Sequence, residues 1–245
     1  MNIGIIGAGH IGSTLARKLT SLGHHVRIAN SRGPSTLAEL AAETGARAVT
    51  TEDAVQDVAL VVVTIPLKNV PDLPKGLFAR VPGDVVVVDT CNYYPARDGR
   101  IDAIESGQTE SAWVAGNLAR PVVKAFNNII YFNLAGGSLP KGAAGRIALP
   151  VAGDDARGKA VVLELVEELG FDGVDAGSLD ESWRQQPGTA AYCTDLPSDK
   201  LRRALARADR AKAPAVRDAS LTLAANTPAP EIVNKVRELS GANAL

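Results

Sequence analysis

The sequence predicts an α/β fold: a doubly wound parallel sheet with helices on both faces, then a small, mainly helical C-terminal domain. Three observations predict it. Short β-branched runs alternate with helical stretches of about 10–15 residues, the spacing of βαβ units. A glycine-rich turn follows the first run. No aromatic residue precedes Phe78, so the first third packs with aliphatic side chains and glycine. A buried parallel sheet does so; an aromatic-rich β-sandwich does not.

The elements follow in order. Asn2 to Ile6 is an apolar run ending in glycine, a buried strand. Ile11, Leu15, Leu19 and Leu22 share one face of a helix that Gly23 closes. His25 to Ala29 is a second strand. Pro34 is suited to open a helix to Thr44, stopped by Gly45. Ala46 to Val49, Val58 to Ile65 and Val85 to Asp89 read as strands, and Pro121 to Phe126 and Arg146 to Ala152 as further ones. Ala156 to Leu169 is an amphipathic helix, and Phe171 to Asp175 a last strand. Polar loops follow Gly177. Ser198 then caps a basic helix to Lys212, Pro214 opens another helix, and Pro230 opens one ended by Gly241. The expected domains are 1–177 and 178–245. The second is a marginal core by itself and needs docking on the first or on another subunit.

Composition narrows the function classes. The 245 residues carry 26 basic and 27 acidic side chains, a formal charge of −1. That gives no polycationic surface for nucleic acid. The longest apolar run, Val58 to Val63, is far short of the roughly 20 residues of a membrane span. The opening MNIGIIGAGH has no signal-peptide pattern, so a cytoplasmic protein is expected. Cys91 and Cys193 lack metal spacing and read as free thiols. All three histidines are N-terminal, so no metal site is expected.

The strongest motif is Gly7-Ala8-Gly9-His10-Ile11-Gly12. It follows a predicted strand and opens a predicted helix, the context in which GxGxxG binds a dinucleotide in a Rossmann-type domain. Gly7 permits the turn, Gly9 lets a pyrophosphate reach the backbone, and Gly12 lets helix and strand pack closely. His10 and Ile11 begin the helix whose free N–H groups hold the anion. An NAD site puts Asp or Glu at the end of the second strand. Here Asn30-Ser31-Arg32 stands instead, and Ser31 and Arg32 would bind a 2′-phosphate, so NADP is expected. Thr64, Ile65 and Pro66 end the fourth strand, at the topological switch point, facing the middle of the cofactor. Asn92 follows the fifth strand and reads either as a cofactor contact or as a plain turn. Asp89 reads equally as a structural carboxylate.

These residues, with Val123-Lys124-Ala125-Phe126-Asn127 and Ser182-Trp183-Arg184-Gln185-Gln186-Pro187-Gly188, resemble the coenzyme F420-dependent NADP oxidoreductases and their group of dinucleotide-binding enzymes. The resemblance runs over nearly the whole chain. It implies a Rossmann domain with a small closing domain, a homodimer, and hydride transfer between NADP(H) and the deazaflavin coenzyme F420. Lys124, Asn127 and Trp183 are then expected at the second substrate, a small molecule or second coenzyme. Direct hydride transfer needs aligned rings and no acid–base group, so no catalytic residue is assigned.

Two other readings stand beside this one. A reductase of a small carbonyl or imine would need a proton donor, Lys124 or Tyr131. Lys124 reads alternatively as a solvent-facing charge and Tyr131 as core. A non-catalytic NADP(H)-binding redox sensor is the third reading. Trp183 reads equally as a domain or dimer anchor. Lys200, Arg202, Arg203, Arg207 and Arg210, expected on one helix, read as a solvated face or as a contact for an anionic coenzyme tail. Six of the aromatics lie between residues 93 and 132, and Trp183 and Tyr192 flank the polar loop. A flat second ring is expected on that side of the cleft.

Overall fold

Valine and isoleucine lose side-chain freedom in a helix and fit a pleated surface. The stretches richest in them form the centre of the sheet. The computed structural model describes the backbone of residues 1–245 and the side chains other than those at 224, 225, 229 and 230. Six parallel strands are present: β1 (Asn2–Ile6), β2 (His25–Ala29), β3 (Arg47–Ala48), β4 (Leu60–Val63), β5 (Val86–Asp89) and β6 (Val123–Lys124). They lie in the order β3-β2-β1-β4-β5-β6. Ile5 pairs with Ile28 on one side and Val62 on the other, and all three are fully buried. The order reverses between β1 and β4, which makes the crevice where such sheets bind ligands. Because the strands are parallel, Gly7, Asn30, Thr64 and Thr90 leave the sheet at one edge.

One face is covered by α1 (His10–Ser21), α7 (Tyr131–Gly136) and α8 (Ala156–Glu168), whose Leu15, Leu19, Leu134, Val162 and Leu165 enter one aliphatic cluster. The other face carries α3 (Thr51–Ala54), α5 (Asp102–Glu105) and α6 (Glu110–Leu118), packed with Val61, Val63 and Tyr93. Thr50 and Thr109 cap α3 and α6 with their hydroxyl oxygens. The short helix α4 (Pro95–Asp98) lies in the loop after β5.

Several expected elements differ, for local reasons. The helix from Pro34 to Thr44 is a 3₁₀ turn (Pro34–Leu37) followed by α2 (Ala38–Thr44). The Thr36 hydroxyl donates to Gly33 O at 2.8 Å and the Asn30 amide donates to that hydroxyl at 2.9 Å, which tightens the first turn. The strand expected from Pro121 to Phe126 shrinks to β6. Pro121 has no N–H to give, and Phe126 turns left-handed at φ +58°.

The last two strands, β7 (Ala148–Val151) and β8 (Asp172–Asp175), form their own parallel pair. An antiparallel bridge joins them to the main sheet: Lys124 N donates to Ala152 O at 2.8 Å and Ala152 N to Lys124 O at 3.0 Å. Residues beyond β8 form a 3₁₀ turn (Asp180–Gln185), α9 (Ser198–Ala206), α10 (Ala213–Ala225) and α11 (Ala229–Ser240), with Gly241 left-handed at its end. The side chain of Pro230, expected to open α11, lies outside the described ones. The basic helix stops at Ala206, so Arg207 and Arg210 lie beyond it. Among the described residues, no helix is long and apolar enough to cross a membrane.

Candidate functional site

The turn between β1 and α1 has no spare room except at one place. A Cβ on Gly7, at φ +115°, would meet Thr64 O at 2.1 Å, and one on Gly12 would meet Gly7 O at 1.9 Å. A Cβ on Gly9 would meet nothing within 4 Å. Gly9 precedes α1, whose N-terminus has no side-chain cap. Unpaired helix N–H groups therefore stand behind open space, the arrangement that holds a pyrophosphate.

That turn forms one wall of a cleft of about 780 Å³. Gly7, Gly9, Ser31, Arg32, Thr64, Ile65 and Pro66 all line it. Asn30 shapes the second wall: its Oδ1 accepts Arg32 N at 2.9 Å, which leaves Ser31 and Arg32 exposed. The Arg32 guanidinium has no hydrogen-bond or ion-pair partner among the described residues. Thr50, Thr51, Glu52, Asn69 and Asp72 also line the cleft; sequence reasoning missed them. They follow β3 and β4, so the rule that ligands lie beyond strand carboxyl ends was the available signal.

His10, Ile11, Gly12 and Asn92 are not walls of this cleft. Ile11 packs on the core. The His10 ring stacks on Tyr131, with centroids 4.3 Å apart. Tyr131 is 41% exposed. The expectation that it is core fails, because it opens α7 at the mouth of the phosphate loop.

At the end of β5 lies a buried ionic cluster. Asp89 and Lys124 are both fully buried. Asp89 Oδ1 accepts Cys91 N at 2.8 Å, and Oδ2 accepts Ser111 Oγ at 2.7 Å and Lys124 Nζ at 3.2 Å. Lys124 also donates to Cys91 O and stands 3.8 Å from Glu110 Oε2. Burial pushes the Glu110 carboxyl up to about 8, against the pull of Lys124. The Glu110 carboxyl thus keeps its proton at neutral pH beside the Lys124–Asp89 ion pair. Lys124 is not a solvent-facing charge; it fixes the turn from Asp89 to Cys91. Burial also raises both Cys91 and Cys193 thiols well above their ordinary range, which makes them poor nucleophiles.

The structure brings Asn92 and Asn127 together. Asn92 Nδ2 donates to Asn127 O at 2.9 Å, and Asn127 Nδ2 donates to Asn92 Oδ1 at 3.1 Å and Gln185 O at 2.8 Å. Gln185 Nε2 returns a bond to Asn127 Oδ1 at 3.0 Å. Asn128 holds the same polar loop at Ala191 and Cys193. Phe126, Cys193 and Asp195 have φ of +58°, +55° and +47°. Such strain in non-glycine residues gathers at functional sites. Trp183 stands elsewhere, in a pocket of about 140 Å³ that shares no lining residue with the cleft. The Arg184 and Arg210 guanidinium carbons are 4.6 and 5.3 Å from its ring centre.

The family model described as NADP oxidoreductase, coenzyme F420-dependent, matches residues 2–93, the span that holds the phosphate loop, Ser31, Arg32 and Asn92. A crystal structure of a hypothetical protein from Sinorhizobium meliloti is 32% identical, with a TM-score of 0.68 over 81% of this chain and 96% of that one. Over residues 2–93 the chain belongs to the F420-dependent NADP oxidoreductase family. Its fold is shared by a candidate F420-dependent NADP-reductase from Arthrobacter sp. FB24, at 24% identity and a TM-score of 0.61 over 73% of this chain and 85% of that one. The protein YjhV of Escherichia coli strain K12 is 48% identical over 66 residues, 27% of this chain and 48% of that protein. The match thus spans about half the length of this curated relative. The matched family is one of NADP-dependent oxidoreductases, and the residues of the 780 Å³ cleft fit that dinucleotide.

Proposed function

We propose that the chain transfers a hydride between NADP(H) and the deazaflavin coenzyme F420. The observation that carries the cofactor half is the exposed, unpartnered Arg32 beside Ser31, in one cleft with Gly7 and Gly9. The deazaflavin half rests on family membership. When bound, the dinucleotide supplies the hydride chemistry itself. The chain's own residues bind and orient it. Helix N–H groups behind Gly9 hold the pyrophosphate, Ser31 and Arg32 the 2′-phosphate, and Thr64 to Pro66 the middle of the cofactor. Asn92, Asn127 and Gln185 form the amide chain at the nicotinamide edge.

The test follows NADPH oxidation by absorbance with F420, free flavins and a panel of carbonyls and imines. Turnover with F420 alone is the expected result. Turnover with carbonyls or imines and none with F420 would overturn it, and tight NADPH binding with silence across the panel would favour the redox-sensor reading. One observation favours a carbonyl or imine reductase as the second reading: Tyr131 is exposed and its ring stacks on His10 of the phosphate loop, whereas Lys124 is sealed inside. Under that reading Tyr131→Phe abolishes carbonyl turnover; under the first it leaves F420 turnover intact.

The proposal includes a division at residue 177, a cytoplasmic location and a homodimer. Two buried free thiols support a reducing compartment. Light scattering on the full chain tests the dimer.

A further inference from the structure

The segment from Ala191 to Leu196 ties the C-terminal helices to α7. Arg237 of α11 grips its backbone: Nε donates to Thr194 O at 2.6 Å and Nη2 to Asp195 O at 3.0 Å. Ala148 N of β7 donates to Leu196 O at 2.8 Å. Ahead of α7, Asn128 holds the segment twice. Its main-chain oxygen accepts Cys193 N at 2.9 Å, and its side-chain amide donates to Ala191 O at 3.2 Å. Held this way, Cys193 and Asp195 keep left-handed backbones that non-glycine residues disfavour. Such conformations persist only where the surroundings over-determine them.

The strained segment brings the Asp195 carboxyl group to α7, where Asn133 Nδ2 donates to Oδ2. Asn133 lies two residues after Tyr131, whose ring stacks on His10 with centroids 4.3 Å apart. His10 opens α1, the helix whose uncapped N-terminus stands behind Gly9. A continuous run of contacts therefore joins α11 to the phosphate loop. Asp195 itself is not a wall of the dinucleotide cleft, so whatever it does to a bound dinucleotide has to pass through α7.

We propose that Asp195 is a positioning residue for the phosphate loop: through Asn133 it fixes the start of α7, and through the Tyr131–His10 stack α7 fixes the N-terminus of α1. The proposal rests on the reading of that loop as the NADP(H) site. The link depends on charge. Asp195 Oδ1 is buried without a partner, and burial pushes the carboxyl up to about 6, against the pull of Arg237 and of the Asn133 amide. Among the described residues, the charged or titratable groups that face it are Arg237 from α11 and the Cys193 thiol from its own segment. From α7 it meets the uncharged Asn133 amide. A hydrogen bond to a carboxylate is stronger than one to a neutral acid, so the hold on α7 weakens as pH falls through 6.

The experiment titrates the full chain with NADPH by fluorescence between pH 5 and pH 8, for the parent, Asp195→Asn, Tyr131→Ala and the double variant. Asp195→Asn keeps the shape and an acceptor oxygen but loses the charge. It is expected to weaken NADPH by about threefold or more at pH 8 and to approach the parent at pH 5. Taking the ratio of variant to parent cancels the titration of the cofactor's own 2′-phosphate. In the Tyr131→Ala background the same substitution is expected to leave NADPH affinity unchanged, because the link is already cut. Asn133→Leu cuts it from the α7 side and is expected to show the same larger loss at pH 8, which keeps the test open should Asp195→Asn fail to fold. A loss equal at pH 5 and pH 8, or one that persists without the Tyr131 ring, overturns the proposal and leaves Asp195 a structural residue. A parent that binds no NADPH overturns the cofactor reading, and this proposal with it.

Discussion

Arg32 reaches the cleft because Asn30 spends its side chain on the turn. The Asn30 oxygen accepts the Arg32 N–H and its amide nitrogen donates to Thr36 Oγ1, so the loop holds its shape with the guanidinium free. Charge-assisted hydrogen bonds are worth roughly 1.5–3 kcal/mol each. Arg32→Ala is therefore expected to weaken NADPH by tens to hundreds of fold and to leave NADH nearly unchanged. Equal losses in a fluorescence titration of both cofactors would refute the 2′-phosphate role. Glu110 carries the second residue-scale prediction. Its carboxyl is raised from 4.5 to about 8, so the folded chain keeps a proton that the unfolded chain gives up. Stability is then fully retained below the ordinary carboxylate range, falls as pH rises toward 8, and is level above it. Glu110→Gln removes that slope. Thermal melts of variant and parent should coincide near pH 4 and separate by a few degrees near pH 8, the variant higher.

At the scale of elements, β5, β6 and α6 are held by charges as well as by ladders. Removing one member of a buried pair costs about 3–5 kcal/mol, because the other charge is left unsolvated. Lys124→Met should show that loss in denaturant unfolding, and adding Asp89→Asn should recover part of it. No recovery in the double variant would mean that packing, not charge, carries the effect. The sequence shows β1, β2, β4 and β5 to within two residues, because β-branched runs between glycine turns leave few alternatives. It hides α3 to α7, which are short and weakly patterned. Only Thr50 and Thr109, placed three residues before the N–H groups they accept, mark the starts of α3 and α6. The phosphate loop is legible because it is local. The Asn127–Gln185 bonds join residues 58 positions apart, and nothing near either residue announces the other. Lys124 misleads for the same reason. Its partners Asp89 and Glu110 come from other elements, so a lone lysine at a strand end looks like a surface charge.

For the whole molecule, cofactor binding and stability are one equilibrium. A ligand at 100 times its Kd adds about 2.7 kcal/mol, and in a domain of this size each kcal/mol moves the melting temperature by about 2–4 °C. Saturating NADPH is expected to raise Tm by about 5–10 °C and the same concentration of NADH by much less. Equal shifts, or none, in a thermal-shift assay would contradict the cleft assignment.

The bridge between the two sheets also bears on how the chain comes to be made. The main chain of Lys124 is tied to Ala152, and its ammonium is the cation that meets Asp89. A nascent chain that has emerged only through α6 has every residue of the phosphate loop and an aspartate with no counter-ion. It cannot close β5 into a dry interior. Translation has to run past residue 152 before the first sheet is electrically complete and the strand that neutralises it is anchored. The folding unit is thus longer than the binding unit, and a nucleotide-binding half excised before β6 is not an autonomous module.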